Sequence, residues 1–109
     1  MVEKQHLYTV SDKKVIERLI EDDNVGINHM VLARDEVLPE HYSNSNVYMI
    51  VVRGTVTLGL NEQSPTSYPK GSILEIPFKT KMNVGNADDG ILELFVIKAP
   101  SPRHMKDKL

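Results

Sequence analysis

A chain of 109 residues with a net charge of −2, 40% apolar and 26% charged, has room for one globular domain and not for two. It contains no cysteine, which excludes disulfides, thiolate zinc sites, iron–sulfur clusters and cysteine nucleophiles, and agrees with a reducing, cytoplasmic setting. No basic stripe with interleaved aromatics speaks for nucleic acid, and the longest apolar run, Val47 to Val52, is far short of the roughly 20 residues of a membrane helix.

The opening MVEKQHLYTVSDKK is polar from its third residue and is not expected to act as a leader; within it, HLYTV predicts a first strand. KKVIERLIEDDNV fits two patterns. Val15, Ile16, Leu19 and Ile20 would line a helical face, but the β-branched residues and the turn-like EDDN favour a strand entering a hairpin. VGINHMVLA predicts the next strand, and RDEVLPE a loop. Val47 to Val52 and the alternating TVTLGL predict two more, followed by the turn NEQSPTSYPKG. SILEIP, KMNVGN and ILELFVIK complete the strands, with NADDG as a turn. APSPRHMKDKL, with two prolines, reads as an extended tail over 99–109. Eight or nine short strands at this spacing predict an all-β sandwich or barrel occupying residues 1–109 as a single domain.

Two segments resemble the paired motifs of the cupin superfamily. In the first, the family pattern of Gly, five residues, His-x-His, three or four residues, Glu, six residues, Gly falls on Asp35, His41, Ser43, Val47 and Gly54. In the second, Gly, five residues, Pro-x-Gly, two residues, His, three residues, Asn falls on Gly71, Pro77, Lys79, Met82 and Asn86. The stretch between them, Thr55 to Lys70, is short, as in the smallest single-domain members, and the matched segments cover about half the chain. The resemblance implies a double-stranded β-helix, or jelly-roll barrel.

The residues that match and those that depart carry different information. Gly54, Gly71, Pro77 and Asn86 are turn and corner positions, where backbone conformation decides the residue. In the family a metal is typically held by two histidines, a glutamate and a third histidine. Of those positions this sequence keeps His41, while Ser43, Val47 and Met82 supply a hydroxyl, a methyl surface and a thioether. A divalent ion such as Fe(II), Mn(II) or Zn(II) normally wants at least three imidazole or carboxylate ligands, so no metal and no other cofactor is expected. One soft-metal alternative is that His29, in mid-strand, joins His41 and Met82 as a nitrogen–nitrogen–sulfur set for Cu(I); the other reading makes His29 a half-buried histidine bonded to a neighbour.

The expected function is that of a metal-free barrel binding a small molecule, in a sensing or regulatory role. Its pocket would be walled by Val47, Met49, Val51 and Met82, with His29, His41 and Ser43 as the polar groups. The alternative is a small cupin enzyme of isomerase, epimerase, decarboxylase or dioxygenase type using His41, with or without a bound metal; in its metal-free version His41 is the base and Tyr48 or Lys81 the acid. If Val47 faces inward, so do Met49 and Val51, which turns Tyr48, Ile50 and Val52 outward. Covering that face predicts a symmetric homodimer, unless HLYTV and VIERLI fold over it within one subunit.

Overall fold

Short apolar runs punctuated by turn residues become nine strands. The structure, a computed structural model, describes residues 2–108. The strands are β1 (Val15–Glu21), β2 (Gly26–Leu32), β3 (His41–Tyr42), β4 (Val47–Arg53), β5 (Thr55–Leu60), β6 (Thr66–Pro69), β7 (Ile73–Ile76), β8 (Lys81–Gly85) and β9 (Leu92–Lys98). They form a five-stranded sheet ordered β1-β2-β9-β4-β7 and a four-stranded sheet ordered β3-β8-β5-β6. Every pairing is antiparallel. This is the all-β, double-stranded β-helix architecture that the family resemblance implies. Among the described residues no helix is long and apolar enough to cross a membrane.

Strand alternation places the core. Residues opposite each other across a ladder share a face. Met30, Leu94 and Val51 therefore lie in one row, and Leu74, Met49 and Val96 in another, with Val47 opposite Ile76. These side chains meet Val56, Leu58, Met82 and Val84 from the second sheet in one buried cluster. Each such residue contributes about 1.5–3 kcal/mol on burial, which is what closes the two sheets on each other.

The corners explain why the motif glycines matter even where glycine is absent. Gly54 has φ 77°, and a Cβ there would stand 2.2 Å from the Ile91 carbonyl oxygen, so no other residue fits. The two family glycine positions occupied by other residues keep the same backbone conformation: Asp35 and Lys79 both have φ 66°. The left-handed turn survives because hydrogen bonds hold it, from Asp35 N to the Asn86 carbonyl at 2.8 Å and from Lys79 N to the Ser43 carbonyl at 3.0 Å. Asn86 is buried and its amide nitrogen donates to the carbonyls of Leu32 and Gly90, stapling the end of β8 to the loop before β9.

Three expectations need correction. HLYTV forms no strand: residues 6–10 run as an extended arm, because their side chains pair with groups on β1, β2 and β9 rather than their backbone with a neighbouring strand. The stretch read as one long turn contains β6, whose Thr66–Pro69 ladder to β5 is short and largely exposed and so carries little apolar signal. The tail is not extended. Pro102–His104 and Lys106–Lys108 form 3-10 turns that bury Ser101 and Met105, and Arg103 donates to the Glu21 carbonyl and to Asp23. Residue 109 lies outside the described residues.

Candidate functional site

The inward column of β9 reads Leu92, Leu94, Val96, Lys98: three apolar residues and then a cation. Lys98 pairs in register with Val47 and Gly26, so its stem runs on the concave side of the sheet at the open end of the barrel. Gly26 lies beside it, where a Cβ would stand in ordinary contact with the Lys98 stem at 3.7 Å. Lys98 is half-buried, and among the described residues no salt bridge involves it. Burial pushes its ammonium below the usual lysine range; the charge of Arg18 acts in the same direction and Glu21 opposes it.

Around Lys98 lie two small hollows that share Asn28, Asn44 and Lys98 in their walls. One, of about 50 Å³, reaches into the barrel and is lined by Asn28, Met30, Leu38, His41, Ser43, Asn44, Val47, Met49, Met82, Val84, Val96 and Lys98. The other, of about 60 Å³, opens outward past Asn28, Asn44, Arg18, Glu21 and Pro102. Each holds little more than a water or two, far below the 300–1,000 Å³ of a pocket that swallows a whole ligand. The barrel interior is a packed core with only small hollows at its mouth.

The structure brings five of the residues singled out in the sequence to this mouth: His41, Ser43, Val47, Met49 and Met82. His41 sits opposite Met82 on the β3–β8 ladder and is exposed. Its Nδ1–H donates to the Pro39 carbonyl at 2.9 Å, which in the neutral ring leaves the Nε2 lone pair free. Ser43 is buried and fully engaged. Its hydroxyl donates to the Pro77 carbonyl at 2.7 Å and accepts from Thr80 N at 2.8 Å, so it holds a corner and has no donor to spare. Val51 lies deeper, in the core, away from the hollow.

His29 is the main departure. It pairs with Phe95 and Glu17, which puts its ring on the outer face of the five-stranded sheet, across the sheet from His41 and Met82. There it is completely buried, with Nδ1 2.7 Å from Glu17 and Nε2 2.7 Å from Glu93. A nitrogen–nitrogen–sulfur copper set is therefore not assembled. Nor do the residues at the four family ligand positions fit a divalent ion: one imidazole, an engaged hydroxyl, a methyl surface and a thioether. Among the described residues no cluster of three or more His, Asp or Glu side chains is arranged to hold a metal. Tyr48 is outward, opposite Ile97, and Lys81 bonds Glu62 at 2.9 Å on the far side of the second sheet, so neither shares a site with His41.

Asn28, Asn44 and Lys98 were the signal to find. Asn28 and Lys98 follow from strand alternation alone, as polar residues in otherwise apolar inward columns, whereas Asn44 needs the loop geometry. A larger hollow, about 480 Å³, lies outside the four-stranded sheet over Thr57, Gly59, Asn83 and Gly85. Two of its amides are committed, Asn61 accepting from Lys81 N and Asn83 donating to Glu40.

No protein-family model matches the sequence. The chain is 44% identical over 106 residues to an uncharacterised protein of Methanocaldococcus jannaschii, spanning 96% of this chain and 91% of that one. The crystal structure of an RmlC-like cupin family protein with a double-stranded β-helix fold, from the same organism, superposes with a TM-score of 0.93 at 44% identity, covering 95% of this chain and 96% of that chain. A cupin superfamily protein from Desulfitobacterium hafniense (TM-score 0.71, 14% identity, 85% and 83% covered) and the cupin domain of Schizosaccharomyces pombe Cnp3 (0.75, 12%, 93% and 74%) share the fold.

Proposed function

The chain belongs to the RmlC-like cupin family, and from that premise we propose that it is a small-molecule-binding barrel that grips the anionic end of its ligand, a carboxylate or phosphate, at the barrel mouth. The observation that carries this reading is that the half-buried Lys98, which has no salt bridge among the described residues, lines both hollows together with Asn28 and Asn44. A cation held partly out of water without a counter-charge is costly, and an incoming anion recovers that cost. Arg18, at the same rim, is paired with Glu21, which leaves Lys98 as the cation for an incoming anion; the amides of Asn28 and Asn44 add neutral donors. The rest of the ligand would lie outside, near His41.

This chemistry orients and holds; it does not by itself activate water or oxygen. A catalytic role for His41 would need an acid beside it, and the two candidates from the sequence lie elsewhere, so binding in a sensing or regulatory role is the better-supported reading. Backbone and side-chain amide NMR spectra during titration with acetate, citrate and inorganic phosphate test it. Shifts confined to Asn28, Asn44, His41 and Lys98, and lost in Lys98→Met, are expected. Anion-dependent shifts that persist in Lys98→Met would overturn it.

A further inference from the structure

Val56 and Leu58 on β5 and Met82 and Val84 on β8 point into the core, so Thr57, Gly59, Asn83 and Gly85 point outward. Register sets Gly59 beside Asn83 and Thr57 beside Gly85. Two glycines thus floor the hollow of about 480 Å³ outside the four-stranded sheet. The fold requires one of them: a Cβ at Gly85 would stand 2.7 Å from Val37 Cγ1. It does not require the other. A Cβ at Gly59 would meet Asn83 at an ordinary 3.6 Å, and the backbone there is not left-handed. Glycine weakens a strand interior and marks a place where something approaches the backbone closely. Among the described residues nothing approaches Gly59 in that way. The walls are pinned. Leu38 N donates to the Val84 carbonyl at 2.9 Å and Asn86 N to the Glu36 carbonyl at 3.0 Å on one side; Asn61 N donates to the Lys81 carbonyl at 2.9 Å and Gln63 N to the Leu60 carbonyl at 3.0 Å on the other. The groove is therefore formed before any ligand arrives.

We propose that this groove, outside the barrel, binds a neutral planar heterocycle through a lactam edge, the chemistry of a purine or pyrimidine base. The committed ends of the two amides select that edge. Asn61 Oδ1 accepts from Lys81 N at 3.0 Å, which leaves its Nδ2 donor for a ligand; Asn83 Nδ2 donates to Glu40 at 3.1 Å, which leaves its Oδ1 acceptor. A lactam carbonyl accepts from the first and the lactam N–H donates to the second, the amide-to-base pairing that proteins use on nucleic acids. Charge turns a phosphate away. Asp35 lies in the wall, Glu40 adjoins Asn83, and the ammonium of Lys81 is taken by Glu62 at 2.9 Å. Shape selects a thin ring, because a glycine floor presents peptide planes rather than side chains, with Val37 and Pro65 as apolar walls. The volume lies within the 300–1,000 Å³ of small-molecule sites, which the hollows at the barrel mouth do not reach.

Amide NMR titration of the full chain with inosine and uridine tests the proposal. Saturable shifts at Gly59, Asn61, Asn83 and Gly85, half-complete at about 0.1–1 mM, are expected. 1-Methylinosine and 3-methyluridine, which carry a methyl in place of the lactam N–H, should bind at least about tenfold more weakly, and so should inosine 5′-monophosphate at this groove. Gly59→Val fills the floor with a good strand former and should abolish the shifts while leaving the melting temperature unchanged or raised. Asn83→Ala should weaken binding about tenfold. Absence of shifts from both nucleosides at about 10 mM overturns the proposal. So do shifts confined to the barrel mouth around His41, equal binding of the methylated nucleosides, or a folded Gly59→Val or Asn83→Ala variant that binds as the wild type does. A monophosphate that binds the groove as tightly as inosine overturns the assignment of a neutral ligand.

Discussion

The Nε2 atom of His29 stands 2.7 Å from a carboxylate oxygen of Glu93, while the opposite ring nitrogen stands 2.7 Å from Glu17. The ring thus bridges β1 to β9 across a fully buried position, each of its nitrogens held against a carboxylate. His29→Leu removes both contacts and leaves two carboxylates facing an apolar side chain. The expected loss is about 1–3 kcal/mol in urea denaturation, the worth of two hydrogen bonds to charged groups, because Glu17 keeps its bonds from Thr9 and Glu93 keeps Arg53. A variant as stable as the wild type would show that the bridge contributes nothing.

Acid should loosen the arm. The Thr9 backbone N–H first, and then His29, hold the Glu17 carboxyl below its ordinary value of 4.5. A carboxyl depressed in the fold stabilises it above the unfolded-state value and loses that contribution as pH falls through the folded one. The protection of the Thr9 amide, its slowing relative to the intrinsic exchange rate at the same pH, should therefore be high at pH 6 and fall once the pH drops well below 4.5. Protection that does not change down to pH 2 would contradict the assignment.

Lys98 should trade stability for binding. Its folded value is depressed, so the ammonium costs the fold at neutral pH, and that cost is relieved as pH rises through the folded value toward the ordinary 10.5. Lys98→Met removes the charge and keeps most of the stem. The expected result is a gain of about 0.5–1 kcal/mol in thermal or chemical denaturation together with loss of anion binding. A loss of stability would mean that the ammonium has a partner in the fold.

The turn positions should respond in opposite directions. Gly54→Ala forces a Cβ to within 2.2 Å of the Ile91 oxygen at positive φ and should cost at least about 3 kcal/mol. Lys79→Gly relieves a left-handed residue and should gain about 0.5–1 kcal/mol, whereas Asp35→Gly should gain less, because aspartate tolerates that conformation better. Melting temperatures of the three variants check the ordering.

Much of this fold can be read along the chain. Val47 to Val52 alternates so that Met49 and Val51 point inward while Tyr48 and Ile50 point outward, and the registers agree. The motif spacing places Gly54, Gly71, Pro77 and Asn86 at corners, where a local dihedral or a single missing hydrogen selects the residue. β6 and the arm are less legible, because exposed residues leave little periodic signal and the anchors of Tyr8 and Thr9 lie on strands far along the chain.

The site divides in the same way. His41, Val47, Met49 and Met82 reach the barrel mouth as strand parity requires. His29 has the right chemistry and the wrong face. A histidine in mid-strand faces in or out according to its pairing, and the pairing of β2 with Phe95 and Glu17 is settled 66 and 12 residues away. What the chain alone determined was which residues alternate and where it must turn, because both are local properties of backbone and side chain. Whether Ser43 is free, whether Lys98 lacks a partner, and on which side His29 finds its two carboxylates were decided by tertiary structure, because hydrogen-bond satisfaction and desolvation depend on neighbours that only folding brings together.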